Sequence, residues 1–237
     1  MKTYGGKSVY GAAVGILMLE AQFPRILGDM GNALTWPFPV LYKVVRDASP
    51  DRIVRQKAVG LFDNFVSAAN ELIADGADGI TTSCGFLALF QDELSAELKV
   101  PVASSSLMQV PLVDRTLPAG KRCGILTISP ATLTEAHLSK AGCRLDTPIG
   151  GTDEAGEFYQ AILNNRLELD IDLAREENIT AAKSLVEHNS DLGAIVLECT
   201  NMIPYAADIR NATGLPVFSI YSLVCWFQQG LMPRQSF

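Results

Sequence analysis

The sequence lacks the signatures that usually mark a cofactor or metal site. It contains no Gly-x-Gly-x-x-Gly loop and no Cys-x-x-Cys pair, and its two histidines lack metal-ligand spacing. Gly6-Lys7-Ser8 resembles the end of a phosphate-binding loop, but the first glycine of that motif would fall on Met1. Nucleotide, flavin and zinc chemistry therefore have no anchor in the sequence, and we expect neither a cofactor nor a metal.

Other absences narrow the class of protein. No apolar run approaches the roughly 20 residues that span a bilayer, and a net charge of −7 argues against a nucleic acid partner. Five cysteines without framework spacing fit a reducing cytoplasm. The apolar run at residues 9–19 is similar to a signal peptide, but its Gly-Ile-Leu recurs from Gly124 as part of an internal strand. We predict a cytoplasmic protein without a membrane partner, and homo-oligomerisation is compatible with the sequence.

Two segments of the chain repeat one pattern. Gly79-Ile-Thr-Thr-Ser-Cys84 and Ala194-Ile-Val-Leu-Glu-Cys199 each precede sixteen residues and then a Pro-Val pair, at Pro101 and Pro216. The offset is 115 for both landmarks (199 − 84 and 216 − 101). Short apolar runs of this kind predict buried parallel strands, and sixteen residues leave room for a helix. Each cysteine should thus lie at the carboxyl end of a strand, where open α/β sheets bind ligands.

The repeat extends towards the amino terminus. Val14-Gly-Ile-Leu-Met18 resembles Cys123-Gly-Ile-Leu-Thr127, and amphipathic helical patterns precede both cysteine strands. With right-handed crossovers, this order predicts an α/β fold of two pseudo-symmetric parallel-sheet halves, with helices on both faces and the active site in the cleft between them. We assign residues 1–118 plus 220–237 to the first half, which carries Cys84. Residues 119–219 form the second half, which carries Cys199.

The motifs Thr82-Ser-Cys84-Gly85 and Leu197-Glu-Cys199-Thr-Asn-Met202 resemble those of the aspartate/glutamate racemase superfamily. That superfamily includes hydantoin racemases, maleate isomerase and arylmalonate decarboxylase, and the resemblance covers nearly the whole chain. In its racemases, two cysteines flank the substrate and work without a cofactor. The resemblance therefore implies that Cys84 and Cys199 are the catalytic pair. The decarboxylase branch keeps only the second cysteine, so the presence of both favours proton transfer on two faces.

The position of the cysteines suits acid/base chemistry on a carbon next to a carboxylate. A free thiol is mostly protonated at neutral pH, and a helix amino terminus is expected to lower its pKa. The backbone N–H groups of Gly85, Phe86, Thr200 and Asn201 are candidates for binding a substrate carboxylate or the developing oxyanion.

Further candidate substrate contacts lie at the ends of the first strand of each half. The irregular loop at residues 22–39 should cover the site, and it offers Asn32 and Thr35, although Asn beside Gly is more often a turn residue. Thr127 and Ser129 are the corresponding candidates in the second half, and Ser129-Pro130 also has the pattern of a helix N-cap.

These patterns predict a cofactor-independent racemase or epimerase acting on a small carboxylate or hydantoin. Aspartate and glutamate racemases usually have Asn-Thr after the first cysteine, whereas this chain has Gly85-Phe86-Leu87. An apolar wall there would suit a hydantoin or a substituted acid better than aspartate. Alternatives on the same scaffold are cis-trans isomerisation and decarboxylation, and a further alternative is a non-catalytic small-acid binding protein.

Overall fold

The computed structural model describes residue 2 and residues 4–233, and the following statements concern those residues. They form two parallel four-stranded sheets with helices around them. The first sheet has the order β2-β1-β3-β4 and the second β6-β5-β7-β8, so both halves share one topology. The strands are β1 (Val14–Leu19), β2 (Val40–Val45), β3 (Gly79–Thr82), β4 (Val102–Ala103), β5 (Arg122–Thr127), β6 (Ile149–Gly151), β7 (Leu192–Leu197) and β8 (Val217–Phe218).

Helices connect the strands and flank the sheets. The α-helices are α1 (Pro50–Val54), α2 (Phe62–Asp75), α3 (Gln91–Glu97), α4 (Val110–Asp114), α5 (Glu135–Lys140), α6 (Glu157–Leu163), α7 (Ile171–Glu187), α8 (Ala206–Thr213) and α9 (Ile220–Leu231). Short 3-10 helices cover Ala33–Thr35, Gly85–Phe90, Ser106–Gln109 and Thr200–Tyr205. None of the described helices is long and apolar enough to cross a membrane.

The central strands are buried on both faces, which explains their unbroken apolar runs. Every residue of β1 is buried, and so is every residue of β3. β3 pairs with β1 through Ile16–Thr81 and Leu17–Thr82, and β7 pairs with β5 through Ile125–Val196 and Leu126–Leu197. The two cysteine strands therefore occupy equivalent places beside the first strand of each sheet.

The last helix returns to the first sheet. α9 buries Ile220, Leu223, Val224 and Phe227 in a cluster with Val14, Ile16 and Met18 of β1 and Ala103 of β4. Our proposal that residues 1–118 and 220–237 form one half and residues 119–219 the other is compatible with this packing. Residues 1, 3 and 234–237 of that division lie outside the described residues.

Candidate active site

Cys84 and Cys199 each lie between a buried strand and a short 3-10 helix. Cys84 follows β3 and precedes the helix Gly85–Phe90, which continues into α3. Cys199 follows β7 and precedes the helix Thr200–Tyr205, which continues into α8. Both cysteines are buried, with exposed fractions of 9% and 7%. The same edge of each sheet thus presents one thiol to the space between the halves.

The two thiols line one small cavity. Its volume is about 20 Å³, roughly the room for one water molecule. Its lining combines apolar side chains with hydroxyl, thiol, amide and carboxyl groups. The lining residues are Leu19, Phe23, Pro50, Val54, Ser83, Cys84, Gly85, Phe86, Ile128, Ile162, Leu163, Glu198, Cys199, Thr200 and Asn201. A small acid would need this closed cavity to widen before it could bind.

The predicted lowering of the cysteine pKa values is wrong for the closed cavity. Burial raises the pKa of both thiols, and the neighbouring Glu198 raises them further. The backbone N–H of Phe86 and the guanidinium of Arg25 act in the opposite direction on Cys84. The N–H of Asn201 does so on Cys199, while Asp29 raises the pKa of Cys199. Each cysteine is buried at the start of a 3-10 helix, and the loss of solvation outweighs the effect of the helix terminus on the thiol pKa.

Glu198 is a cavity residue for which the sequence pattern predicted no role. It lies immediately before Cys199 and is fully buried, and one carboxyl oxygen, Oε2, accepts a hydrogen bond from Thr127 Oγ1 at 2.6 Å. Burial raises its pKa to about 8. A lone carboxyl group at the end of the apolar run Ala194-Ile-Val-Leu was the available signal in the sequence. Such a group is rarely buried without a function or a partner.

The four residues that follow the cysteines all line the cavity. Gly85 and Phe86 come from the first half, and Thr200 and Asn201 from the second. Thr200 Oγ1 donates to the carbonyl oxygen of Ser83 at 2.7 Å, so this hydroxyl links the two halves. The assignment of these residues to substrate binding stays a prediction.

Asn201 is oriented by a buried carboxylate from the loop at residues 22–39. Asn201 Nδ2 donates to Asp29 Oδ2 at 2.7 Å, which turns Asn201 Oδ1 towards the thiol of Cys199 at 3.8 Å. The other oxygen of Asp29 pairs with Arg25 Nη1 at 3.0 Å. The loop therefore positions the second cysteine from across the cleft.

The remaining predicted contacts do not line this cavity. Asn32 caps the helix Ala33–Thr35 and donates to the carbonyl oxygen of Arg25, and Thr35 Oγ1 donates to the carbonyl oxygen of Asp29. Both side chains thus hold the loop in shape. Thr127 is bonded to Glu198, and Ser129 is fully buried with an unpaired hydroxyl oxygen. Contact of these four residues with a substrate is not seen in the geometry and stays a prediction.

The cavity is closed by contacts between the halves. Pro50 and Val54 of α1 face Ile162 and Leu163 of α6 across it. At the surface, the backbone N–H of Gln22 donates a hydrogen bond to Asn165 Oδ1 at 2.6 Å.

In the described part of the chain, no three His, Cys, Asp or Glu side chains are grouped so that they could hold a metal ion. The polar groups of the cavity are thiol, carboxyl, hydroxyl and amide groups, which can move protons and donate hydrogen bonds. The arrangement suits acid/base or nucleophilic chemistry by the cysteines.

Solved structures with the same architecture define the fold class. Allantoin racemase from Klebsiella pneumoniae superposes with a TM-score of 0.64 at 18% identity, covering 92% of this chain and 87% of that one. Unliganded arylmalonate decarboxylase superposes with a TM-score of 0.63 at 14% identity, covering 95% and 94%. The chain therefore has the aspartate/glutamate racemase-like fold, as the resemblance of its sequence motifs implied.

Sequence comparison indicates a different group of enzymes. The chain is 29% identical over 245 residues to dimethylsulfoniopropionate lyase 7 of Emiliania huxleyi strain CCMP1516, covering 95% of this chain and 69% of the relative. It is 26% identical over 235 residues to the dimethylsulfoniopropionate lyase of Durusdinium sp. clade D, covering 95% and 77%. No known family profile matches the chain. The similarities support an enzyme, and the relatives by sequence are lyases, not isomerases.

Proposed function

We propose that this protein is a cofactor-independent lyase that removes the α-proton of a short carboxylic acid and expels a leaving group from the β-carbon. Dimethylsulfoniopropionate is the best candidate substrate. The observation that carries the proposal is the pair of cysteines in one cavity, in a chain similar along 95% of its length to dimethylsulfoniopropionate lyases. The isomerase class that the motifs alone favoured becomes the second candidate.

The elimination needs one base on one face of the substrate. A cysteine thiolate takes the proton from the carbon next to the carboxylate, and that electron pair forms the carbon–carbon double bond. The bond between the β-carbon and sulfur breaks with its electrons going to sulfur. The products are acrylate and neutral dimethyl sulfide, and the thiol returns its proton to solvent. General-base help of this kind contributes on the order of 10²–10⁴-fold.

The charge of the substrate fits the electrostatics of the cavity. Burial disfavours a thiolate when the cavity is empty. A sulfonium group bound beside the thiol would lower its pKa, because an opposite charge at close range favours the ionised form. An acid with no cationic group, or with two carboxylates, would give no such help. A cationic substrate therefore assists its own deprotonation.

The apolar side chains that line the cavity suit the methyl groups of a sulfonium. Phe23 and Phe86 contribute aromatic rings, and Leu19, Val54 and Ile128 contribute aliphatic side chains. Aromatic faces attract cations, and the effect grows when water is excluded. The polar residues Thr200 and Asn201, which also line the cavity, would then face the carboxylate end of the substrate.

A racemase or epimerase is the second candidate, and one observation favours it. Cys84 and Cys199 come from equivalent positions of both sheets and line the same cavity. Elimination needs a base on one face only, whereas racemisation needs one acid/base group on each face. Arylmalonate decarboxylase has the same fold, so decarboxylation is also compatible with this scaffold. Racemisation and decarboxylation both pass through a carbanion next to a carboxylate.

The test is turnover by the purified chain. Incubation with dimethylsulfoniopropionate should produce acrylate, measured by chromatography, and an equal amount of dimethyl sulfide in the headspace. Cys84→Ala should lower the rate of formation of both products by about 10²–10⁴-fold. Cys225→Ala is the matched control, because Cys225 lies on α9 and does not line the cavity. If neither product forms while solvent deuterium enters an enantiopure amino acid or hydantoin, the protein is a racemase and the lyase proposal is wrong.

A further inference from the structure

The carboxyl group of Glu198 lines the same cavity as the two cysteines, and its two oxygens differ in their hydrogen bonding. Its Oε2 accepts the hydrogen bond from Thr127 Oγ1 at 2.6 Å. Its Oε1 is buried and has no hydrogen-bond partner in the described part of the chain. A buried polar atom without a partner is costly, and such atoms are often explained by a ligand. Because Thr127 donates to Oε2, a proton on the carboxyl group belongs on Oε1.

The fold reserves space for this carboxyl group at Gly85. A Cβ atom at position 85 would lie 2.3 Å from Glu198 Oε1 and 2.4 Å from the carbonyl oxygen of Glu198. No residue other than glycine fits at position 85 without displacing the carbonyl oxygen of Glu198. The close approach places Oε1 against the backbone beside Cys84, while Cys199 is the next residue in the chain. A charge on Glu198 therefore acts on the pKa of both thiols.

Among the described residues, no Lys, Arg or His lines the cavity, and Glu198 is in no ion pair. The titratable groups that line the cavity with it are the thiols of Cys84 and Cys199. Thr127 of β5 donates its hydroxyl hydrogen to Glu198 Oε2, and Ser106 donates to the backbone carbonyl oxygens of Leu197 and Glu198. Asp29 and Arg25 pair with each other farther out, beyond Asn201.

We propose that the neutral carboxyl group of Glu198 binds the carboxylate of the substrate, donating a hydrogen bond from Oε1. This assignment rests on the proposed function, since it concerns the acid end of the same substrate. An acid that shares its proton with a carboxylate replaces the arginine or lysine that the cavity lacks. The bond strengthens as charge moves from the α-carbon onto the carboxylate oxygens, so Glu198 also stabilises the enolate-like transition state. Burial supports this role by keeping the carboxyl group protonated up to about pH 8.

The first test measures the protonation of Glu198 without any ligand. Infrared difference spectra between the unaltered protein and Glu198→Gln should show the carbonyl band of a protonated carboxyl group at pH 7. The band should disappear as the pH rises above about 8. An ionised Glu198 at pH 7 overturns the proposal. Glu187→Gln, at an exposed position at the end of α7, is the matched control and should leave the spectrum in that region unchanged.

The second test measures binding of acrylate and of 3-(trimethylammonio)propionate, whose amine is a poor leaving group. Calorimetry in two buffers of different ionisation enthalpy should show no proton uptake at pH 7. Above about pH 8 it should show uptake of one proton and a tenfold loss of affinity per pH unit. Glu198→Gln keeps a donor, so it should bind these probes without that pH dependence. Glu198→Leu should bind them about 10- to 100-fold more weakly, the loss expected for a buried hydrogen bond to a charged group.

The two tests separate this inference from the lyase proposal. Acrylate and dimethyl sulfide formation reports on the reaction, whereas the infrared band and the proton uptake report on Glu198 alone. Normal turnover together with equal probe binding by Glu198→Leu would overturn the role of Glu198 and leave the lyase intact. Probe binding that depends on Glu198, without any turnover of dimethylsulfoniopropionate, would overturn the lyase proposal and leave the role of Glu198 intact. Failure of both probes to bind at pH 7 also overturns the role of Glu198.

Discussion

Cys84 and Cys199 occupy the same position in two copies of one strand-and-helix unit, but their surroundings differ. We call residues 83–86 the first cysteine site and residues 198–201 the second cysteine site. In the first site, Gly85 and Phe86 follow the cysteine, and its thiol has no hydrogen-bonded side-chain partner among the described residues. In the second site, the buried Glu198 precedes the cysteine, and Asn201 accepts a hydrogen bond from its thiol.

The difference is compatible with the single base that our proposed elimination requires. A racemase that serves two enantiomers needs two acid/base groups of comparable strength. Burial is the largest cause of the raised pKa of both thiols, but Arg25 partly offsets it at Cys84, whereas Asp29 adds to it at Cys199. We therefore propose Cys84 as the base and Cys199 as a thiol that stays protonated.

The largest expected effect is on catalysis by the two cysteine variants. Cys84→Ala should lower the rate of acrylate formation by about 10²–10⁴-fold, because the base is lost. Cys199→Ala should lower it by a smaller factor, since elimination requires no second proton transfer. Steady-state kinetics of both variants beside Cys225→Ala measures the ratio. Equal losses in the two active-site variants would contradict the asymmetry and favour racemisation.

The next effect concerns the loop that supports the second cysteine site. Asp29→Ala removes the partner of Arg25 and the acceptor of Asn201 Nδ2. We expect the free energy of unfolding to fall by about 3 kcal/mol, as when one partner of a largely buried ion pair is lost. Urea denaturation gives the value, and Asp208→Ala, which breaks a half-exposed pair with Arg175, serves as the control. A loss below about 1 kcal/mol in Asp29→Ala would show that the loop is held elsewhere, for instance by Trp36, which stacks on Tyr221.

The third effect is a dependence of folding stability on pH that arises from Glu198 in the second cysteine site. The folded protein keeps Glu198 protonated up to about pH 8, whereas the unfolded chain ionises it near pH 4.5. Between these values the folded state binds more protons, so the stability contributed by Glu198 falls as the pH rises, by up to about 1.4 kcal/mol per pH unit.

The comparison of two variants isolates this term. Glu198→Gln should gain stability relative to the unaltered protein from pH 5 to pH 8, and the difference should then become constant. Glu187→Gln should show no such gain. Denaturation midpoints measured across that range are sufficient, and a difference that does not change with pH would mean that Glu198 is ionised in the folded protein.

The smallest effects come from equivalent positions after the two cysteines. Gly85→Ala should cost about 1–3 kcal/mol by overpacking, because its Cβ would lie 2.4 Å from a carbonyl oxygen. Thr200→Ala should cost about 1 kcal/mol, since it loses only the hydrogen bond to Ser83. Thermal unfolding compares the two. A Gly85→Ala variant as stable as Thr200→Ala would show that Glu198 can shift within the cavity.

The fold was predictable because its signals are local and repeated. The equal offsets from Cys84 to Cys199 and from Pro101 to Pro216 predicted two copies of one unit, and the shared strand order agrees with that. Asn32 and Thr35 show the limit of such reasoning. Their types and loop position fitted substrate contact, yet their hydrogen bonds shape the loop itself. Whether a polar loop residue faces the cavity depends on packing that the local pattern does not contain.

The sequence by itself determined the two parallel sheets and the presence of one cysteine at the same edge of each, because strand periodicity and strand-to-helix order are local properties of the chain. Only the tertiary structure decided the state of those cysteines. The packing of α1 and α6 around the cavity buries both thiols, and burial raises their pKa values against the expected effect of the helix termini. It also brought Glu198 against Gly85 across 113 residues of sequence (198 − 85), a contact between halves that no spacing rule describes.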